Sequence, residues 1–185
     1  MSKVIIYGYS NLGSKIAKSL KNSEFEIIIV DYDEDNYNKA ILDGYNTFNK
    51  DLLEDEELIE IGIESNVKAF YCVSDSSNNN FFVTLSARNL NKKIRIISKA
   101  SSKSDSKKML LAGATKVINP YEIGALRMFR LLDKPIISHV LDKILFGDSL
   151  LNIEEFPILK GSYLDGKYLK DFDFKAGTAL CDVLE

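Results

Sequence analysis

The sequence IIYGYSNLGSKIA, residues 5–17, connects an apolar, strand-like run to a helical pattern through a loop that contains two glycines. In a parallel α/β fold, such a loop offers backbone N–H groups and a helix N-terminus to a bound pyrophosphate, because glycine leaves the backbone open to close approach. Gly8 and Gly13 occupy the outer positions of a G-x-G-x-x-G pattern, and Ser10 stands where the second glycine is expected. The stretch therefore predicts a phosphate-binding turn with one altered position.

Asp31 supplies a second signal for the same fold. It follows the apolar run EIIIV and lies eighteen residues after Gly13. A carboxylate at the end of the second strand accepts hydrogen bonds from ribose hydroxyls, and Asp favours a free 2′-hydroxyl over a 2′-phosphate. The strand, the loop, the helix and the acid together favour a Rossmann-like, dinucleotide-binding fold.

Ser10 leaves two interpretations of the site open. Its Cβ occupies space through which a pyrophosphate would approach the backbone, so the cleft could have lost its nucleotide. A serine whose φ stays negative can instead donate its hydroxyl hydrogen to a phosphate oxygen. In the first case Asp31 is an exposed strand-end acid, whereas in the second it holds a ribose.

Apolar runs rich in Ile, Val and aromatic residues alternate with segments of helical period along residues 1–120. This alternation predicts an α/β fold with a doubly wound, parallel, six-stranded sheet and crossover helices. We expect strands at residues 4–7, 26–30, 46–48, 67–73, 94–98 and 116–118. We expect helices at residues 12–21, 35–42, 55–61, 79–90 and 104–111.

The pattern changes after Asn119, where two amphipathic helices are predicted at residues 123–132 and 136–146. Their apolar side chains exceed what a lone hairpin can cover, so either the chain's own sheet or a second subunit packs on them. Turn signals at Gly161, Gly166 and Gly177 then predict the beginning of a small C-terminal α+β subdomain, which we expect to be truncated. The predicted organisation is a nucleotide-binding domain at 1–120, a crossover helix pair at 121–148 and the subdomain at 149–185.

Composition excludes several function classes. The chain has 185 residues with 45% hydrophobic content, and its net charge of −3 gives no basic footprint for nucleic acid. One histidine and two cysteines without C-x-x-C spacing supply no usual zinc ligand set, so no metal site is predicted. We found no apolar run of transmembrane length and no signal peptide, and we therefore expect a cytosolic protein.

Several blocks in order resemble the RCK domain, the regulator of potassium conductance, also described as the Trk-type N-terminal domain. The blocks include VIIYGYSNLGSKIAKSL, IIIVDYDEDN, KDLLEDEELIEIGI and LLAGATKVINPYEIGALRMFRLL, and the resemblance covers about residues 3–146. It implies a regulatory, non-catalytic domain that senses a small ligand and gates a potassium channel or transporter from the cytoplasmic side of the membrane. It further implies a homodimer or octameric ring assembled through residues 123–146.

The resemblance also implies a set of ligand-binding residues and a ligand class. NAD(H) or an adenine nucleotide (ADP or AMP) is the implied ligand. The departures from the family pattern are Ser10 for glycine, Asn11 for a frequent arginine, and Asn49-Lys50-Asp51 for a glycine-aspartate pair, and they disfavour a triphosphate. The implied binding residues are Gly8, Ser10, Asn11, Leu12, Gly13, Asp31, Tyr32, Asp51, Leu52, Ser74, Asp75 and Lys99.

Two alternatives to a sensor remain open from the sequence. The first is a dimerising scaffold with an empty cleft, in which Asp51 and Lys99 are solvated charges. The second is an NAD-dependent oxidoreductase, because Tyr163 and Lys167 form a Y-x-x-x-K pair. That pair requires a helix, whereas the neighbouring Gly161 and Gly166 predict a turn, so we assign no catalytic residue.

Overall fold

The computed structural model describes residues 2–133 and residue 161. The predicted second helix at 136–146, the predicted subdomain at 149–185 and the Tyr163–Lys167 pair lie outside the described residues. None of the helices within residues 2–133 combines the length and the hydropathy of a bilayer-spanning segment.

Six strands alternate with six helices, which confirms the predicted order of elements over residues 3–133. The strands are β1 (Lys3–Tyr7), β2 (Glu26–Val30), β3 (Asn46–Phe48), β4 (Val67–Cys72), β5 (Arg95–Lys99) and β6 (Lys116–Ile118). The helices are α1 (Asn11–Leu20), α2 (Glu34–Leu42), α3 (Asp55–Glu60), α4 (Ser77–Leu90), α5 (Lys103–Leu111) and α6 (Pro120–Asp133).

Helix α6 begins three residues before its predicted start at residue 123. The Asn119 side chain accepts hydrogen bonds from the N–H groups of Tyr121 at 3.1 Å and Glu122 at 3.2 Å. Pro120 occupies the first helical position, where its missing N–H costs nothing and its fixed φ suits a helix. The Asn119-Pro120 pair thus marks the start of α6, which the spacing of the apolar residues alone did not predict.

The sheet is parallel throughout, and its strand order is β3-β2-β1-β4-β5-β6. The connection from β3 to β4 crosses over β2 and β1, so the direction of winding reverses between β1 and β4. At this switch point, the loops that leave the carboxyl ends of β1 and β4 run in opposite directions. The predicted doubly wound, Rossmann-like fold is confirmed.

The two faces of the sheet bury different side chains of the same strands, as a period of two requires. Val4 and Ile6 pack with Ala17 of α1 and Ala40 of α2 on one face. Ile5 and Tyr7 belong to the core of the other face, which α3 and α4 cover with the residues Leu58, Ile61, Val83 and Ala87. Helices on both faces explain why the strand sequences read as continuous apolar runs.

Gly8 and Gly13 permit a close approach that a larger residue would prevent. Gly8 has φ +101°, and a Cβ at Gly8 would lie 2.5 Å from the Cα of Ser74 at the end of β4. A Cβ at Gly13 would lie 1.8 Å from the carbonyl oxygen of Gly8. The loop therefore packs directly on α1 and on the end of β4.

We expect Gly13→Ala to destabilise the fold by about 3 kcal/mol or more, because the added methyl overlaps a backbone oxygen that cannot move without shifting the loop. Urea unfolding followed by circular dichroism measures the loss. Gly124→Ala is the matched control, because Gly124 lies within α6 with open space around its Cα. A helix-interior alanine there should be neutral or stabilising. Equal midpoints for Gly13→Ala and the unmodified protein would contradict the packing argument.

Candidate functional site

The carboxyl ends of the parallel strands meet at one edge of the sheet, and the switch point between β1 and β4 opens a crevice there. The structure places all of the predicted site residues at this edge, in loops, at the start of α1 or at the end of β5. They are Gly8, Ser10, Asn11, Leu12, Gly13, Asp31, Tyr32, Asp51, Leu52, Ser74, Asp75 and Lys99.

Ser10 precedes α1 with φ −69°, so its backbone meets the condition under which a serine can face a phosphate. Its side chain accepts no hydrogen bond from the first turn of α1. The pKa of the nearby Asp75 carboxyl is lowered mainly by its hydrogen bond from Lys99, and the Ser10 hydroxyl adds to that lowering. The amides of the first helical turn therefore have no side-chain cap from Ser10.

Asn11 and Leu12 offer mainly backbone groups to the candidate site. Asn11 is the exposed first residue of α1. Leu12 packs with the core that contains Val73 and Tyr71, so its side chain lies on the sheet side of the helix. The N–H groups of a first helical turn have no intrahelical partner, and they carry the positive end of the helix dipole.

Asp31 is buried, which rules out the exposed strand-end acid that the sequence left open. Its Oδ2 accepts the N–H of Tyr9 at 2.6 Å, and its Oδ1 accepts the N–H of Asp33 at 2.9 Å. Burial raises the pKa of Asp31, and the two backbone N–H groups oppose that rise. A carboxylate has about four lone-pair positions, so Asp31 can still accept from ribose hydroxyls. The neighbouring Tyr32 is exposed at the rim.

Tyr9 holds the glycine loop in place through its buried side chain, a role that the sequence analysis did not predict. The side chain is fully buried, and its hydroxyl donates to Asp43 Oδ2 at 2.7 Å, just beyond the end of α2. The rings of Tyr9 and Tyr45 meet edge to face, with 5.8 Å between centroids. Lys18 of α1 lies 3.6 Å from the same Asp43 oxygen. In the sequence, the position of Tyr9 directly after the first glycine of the loop could have indicated this role.

Tyr7, the last residue of β1, lies beneath the cleft and was also missed. Its side chain is fully buried, and its hydroxyl accepts a hydrogen bond from Asn79 Nδ2 at 3.4 Å. Burial raises the pKa of Tyr7 to about 12. Hydrogen bonds with Asn79 and Ser74 oppose that rise in pKa, and the charges of Tyr32 and Asp51 add slightly to it. A neutral phenol at this place can both donate and accept.

In the loop after β3, two polar side chains bind groups within the loop or on the adjacent helix. Asp51 Oδ1 accepts the N–H of Leu53 at 3.1 Å. Leu52 is fully buried and has φ +56°, a left-handed conformation that is uncommon for leucine. Lys50, which departs from the family pattern, binds Glu60 of α3 at 2.7 Å. Lys50 therefore adds no cation to the cleft.

Ser74 and Asn80 connect the end of β4 to α4 through three hydrogen bonds. Asn80 Oδ1 accepts the Ser74 N–H at 3.0 Å and the Ser74 hydroxyl at 2.8 Å. Asn80 Nδ2 donates to the Ser74 carbonyl at 3.0 Å. Asn80 is fully buried, so these bonds hold the lip of the cleft in one conformation.

Lys99 and Asp75 form an ion pair across the mouth of the cleft, with 2.6 Å between Nζ and Oδ1. Lys99 is buried, which excludes the alternative in which it is a solvated charge. The hydrogen bond from Lys99 is the largest cause of the lowered pKa of Asp75. The pair places one cation at the carboxyl end of β5, next to Asp75. Among the residues that the structure describes, no cluster of His, Cys, Asp and Glu could hold a metal ion.

The model of the TrkA-N domain matches residues 4–120 of this chain. The chain belongs to the TrkA-N domain family. It is 31% identical over 176 residues to potassium channel protein 1 of Methanocaldococcus jannaschii, covering 94% of this chain and 52% of that protein. It is also 31% identical over 185 residues to probable potassium channel protein 2 of the same organism, covering 94% of this chain and 53% of that protein. The chain thus spans about half the length of these relatives.

Solved structures share the fold of this TrkA-N chain at lower identity. The TrkA-N domain of the Escherichia coli inner membrane protein ybaL has a TM-score of 0.65 at 19% identity, over 71% of this chain and 96% of that one. The GsuK channel bound to NAD has a TM-score of 0.65 at 21% identity, over 76% and 25%. The Shewanella denitrificans Kef CTD in AMP-bound form has a TM-score of 0.62 at 17% identity, over 77% and 87%.

Tyr9→Phe removes the hydroxyl that donates to Asp43 and keeps the ring. Because this hydrogen bond is the largest cause of the lowered Asp43 pKa, that pKa should rise toward about 3.9 in a carboxyl NMR titration. A carboxyl whose folded pKa is depressed stabilises the fold above its unfolded pKa and loses that contribution as pH falls through the folded pKa. The Tm deficit of Tyr9→Phe should therefore be full at neutral pH and shrink below about pH 4.

Tyr37→Phe on α2 removes a hydroxyl from the same part of the fold and serves as the control for the Tyr9 variant. Its Tm difference from the unmodified protein should not depend on pH between 3 and 7. A Tyr9→Phe deficit that stays constant across that range would show that the Asp43 contact does not carry the effect.

Proposed function

We propose that this chain is a cytosolic regulatory domain of a potassium channel, lying on the cytoplasmic side of the membrane. The observation that carries the proposal is the match over 94% of the chain to two proteins named as potassium channels. The GsuK channel supports it, because a domain of that channel shares the fold. A potassium transporter is an alternative host for the same domain.

We further propose that the cleft binds NAD(H), ADP or AMP. Asp31 is buried beside the glycine loop at the ribose position of the fold, and Ser10 has the negative φ that a phosphate contact requires. Related folds have been solved as GsuK with NAD, GsuK with ADP and Kef with AMP. Lys99 is a buried cation that is already paired with Asp75, so a triphosphate is the least suited occupant.

Ligand binding would regulate the channel by changing the packing between copies of the domain. A ligand shifts such an equilibrium only by its differential affinity for the two arrangements. The cleft walls come from both faces of the sheet, α1 and α2 on one side and α4 on the other. A nucleotide that contacts both walls therefore favours one relative position of these helices.

The non-enzymatic assignment rests on the chemistry of the cleft. Its acids are engaged by backbone N–H groups, by Lys99 or by Ser10, and its phenol at Tyr7 is buried with a raised pKa. None of these groups forms a pair of nucleophile and base. A scaffold with an empty cleft is the second candidate, favoured by the Cβ of Ser10 in the phosphate approach.

Titration calorimetry of the 185-residue chain with NAD, ADP and AMP tests the ligand proposal. We expect at least one nucleotide to bind, and Asp31→Asn to weaken it about tenfold, since an amide cannot accept as many hydrogen bonds as a carboxylate. Asp35→Asn, the same change on the exposed start of α2, should leave Kd unchanged. If no nucleotide binds, the cleft is an empty scaffold, and if hydride is transferred to any substrate, the non-enzymatic assignment is wrong.

We also propose that α6 contributes to self-association. Ile123, Leu126 and Phe129 recur at helical spacing on α6 and are at least half exposed. A mostly apolar groove of about 380 Å³ lies between α1 and the end of β5, and Ile118, just before α6, lines it. Exposed apolar surface of this extent is typical of an interface between subunits.

Leu126→Glu should convert the dimer or ring into monomers in light scattering, because a carboxylate in an apolar interface is not paired. Leu42→Glu is the matched control, since Leu42 is an exposed leucine of α2 outside that surface. The assembly mass of the Leu42→Glu variant should equal that of the unmodified protein. Persistent assembly of the Leu126→Glu variant would exclude this face of α6 from the contact.

A further inference from the structure

The ion pair between Lys99 and Asp75 joins two side chains that differ greatly in exposure. The Lys99 side chain is 6% exposed, and that of Asp75 is 70% exposed. A buried ammonium requires an acceptor, because removing an unpaired charge from water is costly. An exposed carboxylate has no such requirement, since water solvates it when it rotates away. Lys99 therefore needs an anion at this place, whereas Asp75 is a replaceable partner.

The replaceable carboxylate lies at the approach to the glycine loop. The Ser10 hydroxyl, directly before α1, lies near Asp75 and helps, after Lys99, to lower the pKa of that carboxyl. Ser74, the preceding residue, packs against Gly8 so closely that a Cβ on Gly8 would lie 2.5 Å from the Ser74 Cα. The start of a helix attracts anions through its N–H groups and its dipole. Asp75 thus lies close to both Lys99 and Ser10.

We propose that Asp75 is a built-in competitor for ligand phosphate, so that a nucleotide binds by replacing the Asp75 carboxylate on Lys99, beside Ser10. This inference rests on the proposed nucleotide cleft and adds what determines its specificity. Asp75 opposes each additional negative charge on the ligand, so it lowers the affinity for phosphate-rich nucleotides relative to the nucleoside. Lys99 acts in the opposite sense, because it binds the phosphate once Asp75 has left.

Opposite effects of substitutions at the two members of the pair test this proposal. We expect Asp75→Asn to tighten ADP binding about tenfold, because a repelling charge near the phosphate is removed. Lys99→Met should weaken ADP binding by a similar factor, and Lys99→Arg should restore it. Adenosine should bind all four proteins equally, since it carries no phosphate. A pair that served only the structure would shift ADP and adenosine together and in the same direction for both variants.

Glu64→Gln is the control for the change in net charge. Glu64 is an exposed acid in the turn before β4, at the opposite edge of the sheet from the cleft. Its removal should leave the ADP affinity unchanged, and thermal unfolding should show that each variant is folded. If Lys99→Met does not fold, Asp75→Asn and Lys99→Arg still decide the question.

The outcomes separate this inference from the proposed function. If the unmodified chain binds ADP and Asp75→Asn binds it equally or more weakly, the competition is wrong while the nucleotide cleft stands. If only Asp75→Asn binds ADP, the competition is supported in its strongest form. If neither protein binds ADP, AMP or NAD, the proposed nucleotide function and this inference both fail.

Discussion

The close approach of the glycine loop to its own helix and to the end of β4 is the constraint on which the cleft depends. Gly8 lies against the backbone of Ser74, and Gly13 lies beneath the Gly8 carbonyl. These contacts bring the end of β1, the start of α1 and the end of β4 together with no side chain between them. The hydrogen-bonding groups from Asp31 to Asp75 converge on one crevice because the backbone holds these three segments in place.

Two side-chain anchors connect this crevice to helices on opposite faces of the sheet. Tyr9 donates its N–H to Asp31 and its hydroxyl to Asp43, so the loop conformation is coupled to both ends of α2. Asn80 holds Ser74, which couples the end of β4 to α4. A group bound in the crevice would therefore contact elements that belong to different packing layers.

The fold could be predicted from sequence because its signals are local. Apolar runs such as EIIIV, a glycine loop and an acid at the correct distance identify a parallel sheet and its switch point without knowledge of any contact. The roles of Tyr7 and Tyr9 could not be predicted in this way, since either ring could have faced solvent. The pairing of Lys99 with Asp75 depends on how the ends of β4 and β5 are aligned in space, and no spacing along the chain encodes that distance. The predicted start of α6 was three residues too late, because the helix begins at the Asn119 cap and the periodicity of the apolar residues does not mark that position.

The charge balance of the crevice suits a reversible sensor. Before binding, Lys99 is paired with the Asp75 carboxylate, and in the proposed complex it is paired with the ligand phosphate. The net gain in binding free energy is therefore only the difference between these two interactions with the same ammonium. Affinity then stays moderate, and occupancy can follow the concentration of the ligand. The displaced Asp75 follows directly after Ser74, whose three hydrogen bonds to Asn80 reach α4. Binding that moves Asp75 therefore acts first on the β4–α4 connection, and only an arrangement of subunits that favours the displaced position gains from the ligand.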